Sequence, residues 1–282
     1  MRDRNITMSL GNWLVEKLGN YLLKNNSPSR SYLCDFSRIR HEVRSADVLL
    51  IEGRNPMSRI VRRILQSPWS HAALYIGHIH NLDDPRLREL VQQHYKGSPS
   101  EQLIIETMIG QGTIIAPLSK YKEEHVRVCR PTGLSHLDAQ KVIGYAVNSI
   151  GREYSLRHFF DLGRFILSSK LIPRRWNSSL FKKDAGKAEQ DICSVMIAKA
   201  FSSVKFPILP LIRQNDKKDL EMIRRNPKLY SPSDFDYSPY FDIIKYPMMP
   251  VAGFSIYRHL PWQEELMSND DQGLVAQKED EV

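Results

Sequence analysis

The stretch Ser67-Pro68-Trp69-Ser70-His71-Ala72-Ala73-Leu74-Tyr75-Ile76-Gly77 decides how the chain is read. A proline-containing turn flanked by serines delivers a histidine straight into an apolar run, which reads as a short buried strand with His71 at its mouth. Alternation places His71, Ala73 and Tyr75 on one face and Ala72, Leu74 and Ile76 on the other. A histidine at a strand edge beside small residues has room to face a second element. Its ordinary alternative is a hydrogen-bonded structural histidine.

Working outward, Asp47 to Glu52 (DVLLIE) is a strand, and Asn55 to Gln66 carries a basic helical pattern with Pro56 suited to its first turn. Asn81 to Ser100 is polar and reads as a loop-plus-helix insertion. Leu103 to Met108 (LIIETM) and Thr113 to Ala116 (TIIA) are strands joined by a turn at Gly110-Gln111-Gly112, and Val126 to Arg130 is another strand. Ser135 to Ile150 is a helix closed by Gly151. Arg157 to Leu171 is aromatic and apolar and reads as helical, followed by a basic loop from Pro173 to Lys187. Asp191 to Phe201 (DICSVMIAKAF) is a helix capped at or near Asp191, and short elements continue to Phe254–Tyr257. There is no internal repeat. A sheet-rich middle flanked by helices predicts an α+β fold with an antiparallel sheet packed against helices.

The two ends differ from this body. In residues 8–24, Leu10, Trp13, Leu14, Leu18, Tyr21 and Leu22 recur at helical spacing opposite Glu16, Lys17, Asn20 and Lys24. This amphipathic helix suits a membrane surface or partner, or packs on its own domain. Asn25 to Ser31 reads as a linker. From Gln263 onward there are seven acidic residues and one lysine, without periodicity, which predicts a disordered tail. The expected organisation is therefore residues 1–31 as helix and linker, 32–262 as the domain, and 263–282 as the tail.

The 282 residues carry a formal net charge of +8; removing the tail's −6 leaves +14 on residues 1–262. A body this basic favours a membrane surface, nucleic acid or an acidic substrate, or is a solubilising surface. Nucleic acid is the least favoured, since no binding motif or interleaved aromatic platform accompanies the charge. Cys34, Cys129 and Cys193 form no CxxC pair and no disulfide framework, which fits a reducing compartment and argues against a structural zinc site. No stretch approaches the roughly 18 apolar residues of a spanning helix, and residues 1–24 lack a continuous apolar core and cleavage site. An intracellular, cytoplasmic protein is expected, with residues 8–24 as the candidate for any peripheral membrane contact and packing on its own domain as that helix's commoner role.

A thiol nucleophile needs a depressed pKa, a base within reach and a group that orients the base. Cys193 falls in the opening turn of a helix, where the macrodipole and free N–H groups favour a thiolate and can form part of an oxyanion hole. The alternative is a small buried apolar residue. Glu106 interrupts the apolar run LIIETM and needs either a partner or exposure on a half-buried strand. Orienting the imidazole of His71 would supply the partner. Ser70 and Ser194 neighbour these residues, yet neither sits in a GxSxG elbow. No GxGxxG or GxxxxGK[ST] phosphate loop is present, and no cofactor or metal is expected.

Taken together, the segments ADVLLIEG (46–53), SPWSHAALYIG (67–77), IIETMIGQGTIIAPLSKY (104–121), IGREYS (150–155) and DICSVMIAKAF (191–201) resemble the permuted papain-like amidases related to NlpC-type peptidases, the YiiX-like set. The resemblance spans roughly residues 45–260, and its specific parts are SPWSH…YIG and the cysteine helix. It implies a papain-like, circularly permuted core in which histidine and polar residue come early and the cysteine helix late. It also implies Cys193 as nucleophile, His71 as general base and Glu106 as the orienting residue. Tyr154 matches a tyrosine that lines the site, where its hydroxyl would donate to the oxyanion or substrate, or it is an ordinary half-buried aromatic. The insertion at 81–100 and the long basic stretch at 155–190 exceed a minimal core and leave the substrate open. The expected activity is a cysteine hydrolase or acyltransferase on amide or ester bonds of a peptide or lipid-linked substrate. The alternative is a catalytically inactive scaffold of the same fold, binding a membrane surface or protein partner.

Overall fold

Branched aliphatic residues dominate the central strands, and in the computed structural model these strands align as one antiparallel sheet. Residues 34–108, 111–152, 193–214, 219–247, 259–262, 266–269 and 273–276 are described. The strands are β1 (Val48–Glu52), β2 (His71–Gly77), β3 (Leu103–Met108), β4 (Gly112–Pro117), β5 (His125–Pro131), β6 (Leu211–Gln214), β7 (Leu220–Ile223) and β8 (Phe241–Ile244). Six of them run in the order β4-β3-β2-β1-β5-β8, while β6 and β7 pair as a separate hairpin. The helices of this part are α1 (Phe36–Glu42), α2 (Pro56–Leu65), α3 (Pro85–His94), α4 (His136–Val147), α5 (Cys193–Ser203) and α6 (Ser233–Tyr237). This is the mixed α+β architecture with antiparallel sheet that the sequence pattern predicts.

Helix starts follow from local side-chain chemistry. Asn55 caps α2 by accepting from Ser58 N at 2.7 Å, and Pro56 occupies the first turn. Asp84 accepts from Arg86 N at 2.9 Å to open α3 inside the polar insertion, and Ser135 accepts from Asp138 N at 3.1 Å to open α4.

Alternation along the strands divides the core in two. On one face Leu50, Ala72, Leu74, Leu103 and Ile105 pack with Val142 and Ile143 of α4 and with Met196, Ile197 and Phe201 of α5. On the other, Leu49, Ile51, Ala73, Tyr75 and Ile104 pack with Ile39 of α1 and with Leu118 and Tyr121. Because both faces are covered, β3 is not half-buried, and the reading of Glu106 as a solvent-facing carboxylate is corrected: it has no exposed surface.

Residues 247–282 make a second compact unit. Within it Leu266–Asn269 (β9) and Gly273–Ala276 (β10) pair antiparallel, where a tail without regular structure is expected. The apolar pairs Leu266-Met267 and Leu274-Val275 flank a polar stretch of sequence that ends at Gly273, a pattern that the acidic composition obscures. Residues 8–24 and 157–171 lie outside the described residues.

Leu74 sits in the middle of β2 with no exposed surface, between β1 and β3. Leu74→Ala should cost about 2–5 kcal/mol of unfolding free energy, measured by urea denaturation with an unchanged slope.

Candidate active site

The pairing of β2 with β3 sets the first contact. Ala73 is opposite Glu106, and His71, two residues earlier on the same face, lies at the strand mouth. His71 Nε2 is 2.7 Å from Glu106 Oε2. The chain then turns at β4, pairs Pro117 with Leu103, and enters a 3-10 turn over Leu118–Tyr121 that passes back beneath Glu106. From that turn Lys120 Nζ donates to Glu106 Oε1 at 2.6 Å, and the Tyr121 hydroxyl donates to Oε2. Three donors from two elements therefore surround one buried carboxylate.

Cys193 is the first residue of α5 and is only 4% exposed. The helix is sunk into the core along Val195, Met196, Ile197, Ala198, Ala200 and Phe201, and its opening turn is tethered by Ser194 Oγ donating to Tyr230 O at 2.7 Å. The β2–β3 register ends at Ala73 and Glu106, and the next amide, Ala72 N–H, donates to Cys193 Sγ at 3.4 Å. With Nε2 held by Glu106, Nδ1 is the His71 nitrogen left to face Cys193, whose charge acts on the imidazole. The structure thus brings Cys193, His71 and Glu106 together from three separated stretches of chain.

The approach to His71 is fixed by its neighbours. Trp69 is buried, donates from Nε1 to Asp236 Oδ2 at 3.0 Å, and lies 4.7 Å beneath the Arg127 guanidinium, which itself holds Asp236 at 2.7 and 2.8 Å. Ser70 Oγ donates to Ile51 O at 3.2 Å and accepts from Gly53 N at 3.0 Å. A Cβ at Gly53 would run into Ser58 Oγ and Cβ, so glycine permits this close approach. Both serines beside the site are thus engaged with the backbone.

Electrostatics tie the residues into a unit. Burial opposes the charged form of His71, yet Cys193 and then Glu106 outweigh it and push the imidazole up to about 10 from its ordinary 6.5. Burial would raise Glu106, but the hydrogen bond and charge of His71, with Lys120 behind them, bring it down to about 2 from 4.5. Burial and the neighbouring Glu106 push the Tyr121 hydroxyl well above its usual range, so it remains a donor. The raised His71 contributes stability in full below about 6.5 and loses it as pH rises through about 10. The lowered Glu106 contributes in full above about 4.5 and loses it as pH falls through about 2. The two together are strongest between those inner limits.

Tyr154 and the cap near Asp191 lie outside the described residues. Sequence reading missed Lys120 and Tyr121, although both end the quoted segment IIETMIGQGTIIAPLSKY. Their signal is the hairpin itself, which returns the chain 14 and 15 residues later to the strand that carries Glu106. Among the described residues no group of three or more His, Cys, Asp or Glu is placed to hold a metal ion, and no helix is long and apolar enough to cross a membrane.

No family model matches the sequence, and no curated protein matches it. Among solved structures the chain is similar to one described as "Crystal structure of metalloprotein yiiX from Escherichia coli O157:H7, DUF1105". The two are 12% identical with a TM-score of 0.42, over 72% of this chain and 97% of that one.

If Cys193 is the largest influence raising His71, Cys193→Ala should lower the midpoint of the His71 ring titration, followed by NMR, and Glu106→Gln should lower it too. A wild-type midpoint near 6.5, unmoved by either change, would contradict the charge assignment.

Proposed function

We propose that this chain is a cysteine-nucleophile hydrolase or acyltransferase with a permuted papain-like core, acting on an amide or ester carbonyl. The observation that carries the reading is the placement of one imidazole between a helix-opening cysteine and a buried carboxylate, with Nε2 at 2.7 Å from Glu106. In the proposed cycle the Cys193 thiolate attacks the carbonyl carbon, and the first-turn N–H groups of α5 stabilise the oxyanion. The His71 imidazolium gives its proton to the leaving nitrogen or oxygen as that bond breaks, leaving an acyl thioester. Neutral His71 then takes a proton from water or another acceptor as it attacks the thioester, and the thiolate is regenerated.

The acyl donor is a peptide or a lipid-linked compound. The +14 body and the amphipathic pattern of residues 8–24 favour a membrane-proximal substrate. The scaffold reading finds its one support in the 4% exposure of Cys193.

The three cysteines provide an internal comparison. Burial pushes the thiols of Cys34 and Cys129 up, which leaves them poor nucleophiles at neutral pH. A thiol-reactive acyl probe should therefore label Cys193 fastest, and His71→Ala should slow that labelling by about 100-fold or more, as loss of a general base does. Intact mass spectrometry after incubation with candidate lipids and peptides should trap an acyl adduct on Cys193. Uniformly slow labelling of all three thiols, with no adduct, would favour the scaffold.

A further inference from the structure

We infer that Lys120 is a positioning residue of this site, holding the Glu106 carboxylate turned so that Oε2 faces His71. The inference rests on the Cys193–His71–Glu106 reading and adds a member that the nucleophile, base and orienting residue do not include.

The geometry divides the labour between the two carboxylate oxygens. Oε1 takes Lys120 Nζ at 2.6 Å, whereas Oε2 takes His71 Nε2 at 2.7 Å together with the Tyr121 hydroxyl. Anchoring Oε1 removes the rotation that would carry Oε2 away from the ring. Tyr121, a neutral donor 8% exposed, adds a hydrogen bond but no charge. Lys120 lies on the same turn with its side chain 34% exposed, so its stem spans from solvent to an anion that has no exposed surface, and its ammonium sits 5.3 Å from the Tyr121 ring centroid.

Charge counting explains why a lysine is needed. The groups facing Glu106 are His71 from β2, Lys120 and Tyr121 from the turn after β4, and Cys193 across the imidazole from α5. Glu124, further along the chain, acts on Tyr121. With thiolate, imidazolium, carboxylate and ammonium all ionised, the cluster is neutral. Without Lys120 the same cluster carries an uncompensated negative charge in a buried place, which makes both His71 and Glu106 hold protons more tightly. Oε1 at the same time loses the donor that fixes the rotation of the carboxylate.

The test uses the full chain and iodoacetamide as probe, with the His71 ring titration read by NMR on the same samples. Lys120→Met keeps the stem and removes the charge. Loss of the cation should move the His71 midpoint up by about one pH unit, equivalent to a tenfold change in that equilibrium. Loss of the anchor should also shift the downfield Nε2–H resonance of the ring, which reports its hydrogen bond to Oε2. Lys120→Arg should restore both, and Lys120→Gln, which keeps a donor without charge, should raise the midpoint while keeping the resonance. If Met leaves the Nε2–H resonance where it is in the wild type, whatever the midpoint does, Lys120 does not position the carboxylate and the inference is overturned. If wild-type Cys193 alkylates no faster than in His71→Ala, the site reading itself fails, and this inference fails with it.

Discussion

Glu106 has no surface in contact with water, and an ionised carboxylate in that position persists only where donors and counter-charge replace its lost hydration. The donors are His71, Lys120 and Tyr121, and they have to arrive from two separate parts of the backbone path. His71 arrives because β2 pairs with β3 in the register that sets Ala73 against Glu106; a slip of one residue would turn His71 to the opposite face. Lys120 and Tyr121 arrive because β4 is antiparallel to β3 and ends at Pro117, so the following turn is forced back toward the carboxylate. The strand register, the hairpin length and the turn are thus constrained by one side chain.

The remaining member comes from the far end of the domain. α5 reaches the sheet on the face shared by Ala72 and Leu74, whereas Glu106 and Tyr121 belong to the face shared by Ala73 and Tyr75. Cys193 can meet His71 because it opens the helix at the end of the β2–β3 ladder, where Ala72 N–H is free to donate to sulfur. A cysteine one turn further along α5 would be buried against the sheet interior. In space the order of the elements matters little: what counts is that a helix start and a strand mouth coincide. A chain in which histidine precedes cysteine can therefore build the same arrangement as one in which it follows.

Much of this was legible beforehand, and the exceptions have physical causes. The apolar runs HAALYIG, VLLIE and LIIETM gave the strands nearly to the residue, because both core faces demand apolar side chains at those positions. Asn55, Pro56 and Ser135 announced helix starts through capping chemistry that is local. The ionic environment of Glu106 was not local. A lone carboxylate in an apolar run signals a buried partner but does not say which one, and Lys120-Tyr121 reads as an ordinary polar turn until the hairpin is closed. The β9–β10 pairing was hidden for a different reason: an acidic, polar composition masks two short apolar pairs.

The three cysteines show how little the residue type decides by itself. All three are buried, and for Cys34 and Cys129 burial is the dominant influence, pushing the thiol up. Cys34 has hydrogen bonds as well, donating to Glu124 O at 3.6 Å and accepting from Val126 N at 3.4 Å, so a backbone donor to sulfur is not what distinguishes Cys193. The distinction is the imidazole of His71, which faces Cys193 and is held from its other nitrogen by a buried carboxylate. A change at Glu106 therefore reaches Cys193 through the His71 ring, without touching the sulfur.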